Sequence, residues 1–132
     1  MADYGQRPPG YRLPEATHVG AVSLQVSDLS RSLEYYTSMI GLRELGSDAS
    51  SAVLGPQGDD TPLVELHERR GARAVPRTGL LGLYHFAILY PHRESLGRFL
   101  GHLAALGVPA AMSDHLVSEA IYLQDPDNLG IE

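Results

Sequence analysis

The chain contains no cysteine. Disulfides and thiolate metal sites are therefore excluded, and any metal must be held by nitrogen and oxygen ligands. It also lacks an apolar run able to cross a bilayer. The longest, around Leu80 to Tyr90, is broken by His85 and falls well short of the roughly 20 residues a spanning helix needs. Residues 1–16 have no apolar leader core; Arg7, Pro8, Pro9, Arg12 and Pro14 stand there instead, so a cytoplasmic protein is expected rather than a secreted one. Basic charge is scarce as well. Ten Lys and Arg against 16 Asp and Glu leave a net charge of −6 with His neutral, which argues against a partner in nucleic acid. Arg69, Arg70, Arg73 and Arg77 do cluster, but in a connector rich in glycine and proline. A solvated loop is the plain reading of that cluster, and attraction of an anionic substrate the sharper one.

What the chain does have is a repetition. Val22 to Leu29 leads to Leu33, Tyr36 and Gly41, and Tyr84 to Pro91 leads to Leu96, Leu100 and Gly107. Each is a short strand-like run followed by an amphipathic helix closed by glycine. Each is followed by further strand-like segments ending on an acidic residue in apolar company, Glu65 in the first copy and Glu132 in the second. A length of 132 residues suits one compact domain, so the repeat is internal to it. The expectation is an α+β fold of two tandem βαβββ repeats whose curled mixed sheets form a cleft. Residues 1–16 are then an irregular arm and 17–132 a single domain. Repeat 1 covers about 17–68, a connector 69–80, and repeat 2 about 81–132. Ser23, Glu65, His85 and Glu132 fall at equivalent strand positions, and three of these are metal-binding residue types.

The finer reading places a first strand at 17–27, with Val22, Leu24 and Val26 on one face and Ser23 and Gln25 on the other. Asp28 caps a helix whose stripe is Leu29, Leu33, Tyr36 and Ile40. Strands follow at 42–46, 50–54 and 62–68, the last with Glu65 and His67 on one face. In repeat 2 a strand at 83–90 presents His85 and Ala87 on one side and Tyr84, Phe86 and Ile88 on the other. Pro91 is placed in the first helical turn, with Leu96, Phe99, Leu100, Leu103 and Leu106 as the stripe. Strands at 110–116, 119–124 and 129–132 close the chain, the last two joined by the turn Asp125-Pro126-Asp127-Asn128. A hairpin turning at Ser118-Glu119 sets His115 opposite Tyr122.

Three stretches carry a resemblance: Val22-x-Leu24-x-Val26-x-Asp28-Leu29-x-x-Ser32-Leu33-x-Tyr35-Tyr36, the element Leu83-Tyr84-His85-Phe86-Ala87, and Asp114-His115-x-Val117-Ser118-Glu119-Ala120-x-Tyr122-Leu123-x-Asp125-Pro126-Asp127 with Gly130-Ile131-Glu132. Together they resemble the vicinal oxygen chelate superfamily, which holds glyoxalase I, bleomycin-resistance proteins and extradiol dioxygenases, and most of all its catechol-2,3-dioxygenase-like proteins. The resemblance implies metal ligation by His85 and Glu132, with Glu65 as a further ligand in the glyoxalase-like pattern. Ser23 stands where such relatives often carry histidine. It also implies that His115 and Tyr122, the latter ten residues before Glu132, line the substrate cavity as catalytic acid–base and hydrogen-bonding groups. The implied cofactor is a divalent metal, Fe(II) first, with Mn, Zn or Ni as alternatives, or none. The implied partners are a small catechol-like aromatic substrate and a second copy in a homodimer.

Each position has a plainer account. His85 beside Tyr84 and Phe86 also suits a satisfied core histidine, Glu132 a solvated carboxylate at a chain end, and Tyr122 a buried phenol. An extradiol centre needs two histidines and a carboxylate on one face of the iron. Here the matching positions supply one histidine, and adding Glu65 gives one histidine with two carboxylates. His67 shares the face of Glu65 and is a substitute ligand; His18 lies on the opposite face from Ser23; His92 and His102 are expected to be solvated. Three functions stay open: a metal-dependent dioxygenase-like enzyme, a metal-poor small-molecule-binding module of the same fold, or the N-terminal domain of a two-domain dioxygenase.

Overall fold

Apolar residues at every second position of Val22 to Val26 can bury only one face of a strand, and the computed structural model shows that strand, β1 (Val22–Val26), with Leu24 and Val26 inward. The structure describes residue 10 and residues 12–76, 78–79, 82–116 and 118–132. Most of the expected N-terminal arm, together with Arg77, Leu80, Leu81 and Val117, lies outside the described residues.

After β1 come helix α1 (Leu29–Glu34) and strands β2 (Arg43–Ser47), β3 (Ser51–Gly55) and β4 (Val64–Glu68). Asp28 accepts the Arg31 amide at 2.9 Å and Glu68 accepts the Leu29 amide at 3.0 Å, so two carboxylates satisfy the open start of α1. The helix then widens into a π-turn over Tyr35–Met39, where the Thr37 hydroxyl donates to the Leu33 carbonyl at 2.7 Å. Gly41, at φ +87°, ends it as its left-handed conformation permits. The second half repeats the order with β5 (His85–Phe86), α2 (Arg93–Ala105), β6 (Ala111–Asp114), β7 (Glu119–Gln124) and β8 (Gly130–Ile131).

Sheet topology makes the duplication explicit. The first sheet runs β1-β4-β3-β2 and the second β5-β8-β7-β6. In each, the first strand pairs parallel with the last and the remaining pairs are antiparallel. This is the expected α+β arrangement of two βαβββ units, with two open four-stranded sheets. One apolar cluster spans both, from Leu24, Leu29, Tyr36, Leu54 and Leu66 to Leu103, Ile121, Leu123 and Ile131. Among the described residues no helix is long and apolar enough to cross a membrane.

Several boundaries differ from the sequence reading. Residues 17–21 do not join β1, and Val19 is fully in solvent. The 83–90 strand contracts to His85–Phe86; Tyr84 and Leu89 point outward, too exposed to hold a longer strand against the core. Pro91 precedes the helix instead of opening it, because the extended residue His92 is the cap whose carbonyl takes the amides of Ser95 and Leu96. Along α2 only Leu103 of the predicted stripe is fully buried, and Leu100 and Leu106 are exposed. The last hairpin does not turn at Ser118-Glu119, because Glu119 is already in the ladder opposite Asp114: the His115 amide bonds the Ser118 carbonyl at 2.8 Å, and Asp114 takes the Leu116 amide at 2.8 Å. Ala111, not His115, is therefore the partner of Tyr122 in the ladder.

The turn between β7 and β8 joins the two halves. Asp127 accepts the Ser27 amide at 2.8 Å, the Ser27 hydroxyl at 2.5 Å and an Arg31 guanidinium N–H at 2.9 Å. Asp125 accepts the Tyr36 hydroxyl at 3.0 Å and the amides of Asp127 and Leu129 at 2.9 Å each. Both carboxylates are buried, and the Tyr36 ring stacks on Phe86 of the second repeat with centroids 6.5 Å apart. Arg31 is half exposed, so its pair with Asp127 is screened and the Ser27 bonds carry most of that contact. Asp127→Ala should lower the unfolding free energy by about 2–3 kcal/mol, as expected for losing buried hydrogen bonds to a charged acceptor. Arg31→Ala should cost about 1 kcal/mol or less. Urea denaturation of the two variants checks the order; equal losses would contradict the assignment.

Candidate functional site

The site is built where β5 and β7 flank β8. In the parallel pair, His85 lies beside Gly130. A Cβ on Gly130 would meet the His85 Cβ at 2.8 Å and the Tyr84 carbonyl oxygen at 3.0 Å, so glycine is what lets β5 approach this closely. Two residues on, Glu132 projects from the same face of β8 as position 130. Its backbone is pinned on both sides, its amide to the Phe86 carbonyl and its carbonyl to the Ile88 amide, each at 2.9 Å. On the other side, Leu123 pairs with Ile131, which sets Tyr122 against Glu132 across the antiparallel ladder.

These placements produce a continuous hydrogen-bonded line. His85 Nε2 lies 3.0 Å from Glu132 Oε2, the Tyr122 hydroxyl donates to Glu132 Oε1 at 3.2 Å, and His115 Nε2 sits 2.9 Å from the Tyr122 hydroxyl. One proton arrangement satisfies all three contacts: His115 Nε2–H donates to the Tyr122 oxygen, whose own proton points to Glu132, which also accepts from His85 Nε2–H. Burial, then the bond to the Glu132 carboxylate, raises the Tyr122 pKa above the ordinary tyrosine value. Tyr122 is therefore a hydrogen-bond donor across the neutral range and not a phenolate. His115 reaches it from the hairpin end of β6, folding back along the sheet and not sitting opposite.

A groove of about 1400 Å³ opens onto His85 and Tyr122 of this line. Ser23 and Gln25 from β1, Arg73 from the connector, and His85 and Tyr122 from the second sheet all line it. β1 and β5 are edge strands of their sheets, so the groove runs where the two edges face one another. Its two acidic wall residues, Asp125 and Asp127, are turned inward onto the joint between the repeats.

The remaining candidates lie apart from the line. Ser23 pairs in register with Glu65 on the first sheet. Glu65 faces His67 at a long 3.8 Å, both side chains being well exposed. His18 is exposed and bonds the Ala16 carbonyl at 3.0 Å. His102 was expected in solvent, but its Nε2 lies 3.1 and 3.2 Å from the carbonyls of Ser38 and Met39, so it braces the π-turn from α2. Among the described residues no three of His, Asp and Glu gather closely enough to hold a metal. A divalent ion would find the His85–Glu132 pair and no third ligand of those types beside it. Gly130 is the functional residue that the sequence reading passed over; its place between a short strand and an acidic residue was the available signal.

The profile of the Glyoxalase/Bleomycin resistance protein/Dioxygenase superfamily matches residues 17–132. A catechol-2,3-dioxygenase of Bacillus subtilis (strain 168) is 42% identical over 118 residues, covering 89% of this chain and 41% of that protein. The chain thus spans about two-fifths of the curated relative. Among solved structures, a lactoylglutathione lyase from Agrobacterium tumefaciens superimposes with a TM-score of 0.67 at 17% identity, covering 89% of this chain and 92% of its own. A glyoxalase/dioxygenase from Nostoc punctiforme gives 0.66 at 20% identity, covering 92% and 94%. At such identities the two structures speak for the fold alone.

The line makes a spectroscopic prediction. In the tyrosinate absorbance difference between the wild type and Tyr122→Phe, the Tyr122 step should lie above the ordinary tyrosine range. Glu132→Gln removes the negative acceptor and should bring that step down towards the ordinary value. A step that stays put in Glu132→Gln would break the Tyr122–Glu132 link.

Proposed function

Because the chain belongs to the Glyoxalase/Bleomycin resistance protein/Dioxygenase superfamily, we propose that its groove binds a small aromatic carrying vicinal oxygens, a catechol, as the substrate-handling module of a catechol-dioxygenase-type protein. The observation that carries this reading is the line His115, Tyr122, Glu132, His85, in which His85 and Tyr122 line the groove and Glu132 bridges them. Its longest contact, 3.2 Å between Tyr122 and Glu132, is the one a ligand would open. One catechol hydroxyl then donates to Glu132 and the neighbouring oxygen accepts from the Tyr122 hydroxyl. Both protein groups stay paired, so binding costs neither of them its hydrogen bond. Adjacent oxygens are required, because the two protein groups are themselves adjacent. His115 holds the Tyr122 hydroxyl in its donating orientation, and His85 holds the carboxylate.

Among the described residues the donor set does not fit a ferrous centre of two histidines and a carboxylate, since His85 and Glu132 meet without a second imidazole. Ring cleavage is accordingly assigned to a longer protein in which this fold is one part. The 41% share of the dioxygenase that the chain spans supports that assignment. Calorimetric titration of the isolated chain checks the binding step. Catechol should bind more tightly than its meta isomer resorcinol, and Tyr122→Phe and His85→Ala should each weaken catechol by roughly 5–10-fold, the scale of one lost net hydrogen bond. Equal affinity for the two isomers would sink the proposal.

A second reading, a complete iron enzyme in this chain, draws on the 42% identity with the dioxygenase. Ser23 lines the same groove as His85, so Ser23→His would add the missing imidazole. If the groove closes on that position, anaerobic Fe(II) affinity should rise by roughly tenfold or more. Affinity should also climb with pH through the histidine range, because the ligand must be neutral. Unchanged Fe(II) binding in a folded Ser23→His variant excludes this reading.

A further inference from the structure

The charges around the groove are not balanced. Its carboxylates are already engaged within the fold: Asp127 binds Ser27 and Arg31, and Asp125 binds Tyr36 and two backbone amides. Most arginines are committed too. Arg31 pairs with Asp127, Arg43 with Asp60, Arg70 with Glu68 and Arg93 with Glu119, while Arg69 contacts the Gln25 side chain and Arg98 the Ser95 hydroxyl. Arg73 alone among the described arginines lines the groove, and it has no carboxylate within ion-pair distance among the described residues. Its backbone is placed by anchors on both sides. The Ala72 amide bonds the Arg69 carbonyl at 3.0 Å, the Val75 amide bonds the Asp127 carbonyl at 2.8 Å, and the Asn128 side-chain amide reaches the Val75 carbonyl at 3.4 Å.

Resting on the proposed catechol reading, we infer that the substrate carries a carboxylate as well as its vicinal oxygens, and that Arg73 is the residue that selects for it. The chain's net charge of −6 repels anions at long range, so an anionic substrate needs a local cation, and the connector supplies one at the groove. A guanidinium presents a planar pair of N–H donors that matches a carboxylate. The groove's volume of about 1400 Å³ exceeds what ligand sites commonly need, roughly 300–1000 Å³. It therefore has room for a ring with a charged side group as well as for the diol against Tyr122 and Glu132. Arg73 is exposed, which keeps the gain modest and sensitive to salt.

The test compares 3,4-dihydroxybenzoate with its neutral methyl ester, which keeps the ring and the diol and removes only the charge. By calorimetry the acid should bind the wild type about 3–5-fold more tightly than the ester at low ionic strength, the scale of an exposed ion pair. That ratio should fall towards unity as salt is raised. Arg73→Gln should abolish the preference while leaving the affinity for the ester unchanged, and Arg73→Lys should restore part of it. The unchanged ester affinity also shows that the variant is folded. If acid and ester bind the wild type equally, or if Arg73→Gln keeps the preference, the inference is overturned while the catechol reading stands. If neither compound binds, the catechol reading fails and the inference fails with it.

Discussion

The turn at Asp125–Asp127 is the joint on which the rest of the molecule depends. Among the described residues no ladder joins the two open sheets of the same topology; beside the apolar cluster they share, a pair of buried carboxylates ties them, meeting Ser27, Arg31 and Tyr36 from the first repeat. Burial raises the Asp125 pKa, and the bonds it accepts only partly oppose that shift. A carboxyl with a raised folded pKa contributes stability below its ordinary pKa and loses that contribution as pH rises through the folded value. Ionising Asp125 in the folded protein is therefore a cost, and what the joint provides is geometric definition. It forces the Tyr36 hydroxyl, the Ser27 backbone and the end of β7 into one arrangement, and a purely apolar contact would permit sliding.

The candidate site inherits its geometry from that joint. The chain leaves the Asp125 turn directly into β8, which carries Gly130 and Glu132. Position 130 admits β5 and so His85; the β7–β8 register sets Tyr122 against Glu132. The carbonyl of Asp127 also holds Val75, and with it the connector that carries Arg73 to the groove. One turn thus organises the hydrogen-bonding wall, the cationic wall and the attachment of the first repeat, whose edge strand brings Ser23 and Gln25 to the opposite side.

The two repeats share a plan but not a degree of packing. In the first, Leu29, Tyr36 and Ile40 are buried against β3 and β4, and the core positions of those strands are sealed. In the second, α2 contributes only Leu103 as a fully buried side chain, with Leu96 and Phe99 half covered. An apolar cavity of about 370 Å³ remains between α2 and the second sheet, with Arg93 and Glu119 paired at its edge. The functional groups sit on the more loosely packed repeat and the tighter repeat supplies the frame. That division follows the general tendency of binding elements to come from the less stable parts of a fold.

The sequence by itself determined the elements and their duplication. Alternation at Val22, Leu24 and Val26, the helical stripe from Leu29 to Ile40, the closing glycines and the Asp125-Pro126-Asp127 turn are local signals, because period and turn chemistry act between near neighbours. It also marked His85, Glu132, Tyr122 and His115 as groups of interest, through likeness to a family. What only the tertiary structure decided was which of these meet. Periodicity gives the face of a strand and not its register, so His115 was placed opposite Tyr122 when the ladder partner is Ala111, and the contact arises instead from a side chain folding back. The separation of Glu65 from the His85–Glu132 pair, the clamp of Asp127 on Ser27 and the opening of Arg73 to the groove all join residues far apart in the chain. Such contacts are set by how two sheets dock, a balance of packing and buried hydrogen bonds that no short window of sequence contains.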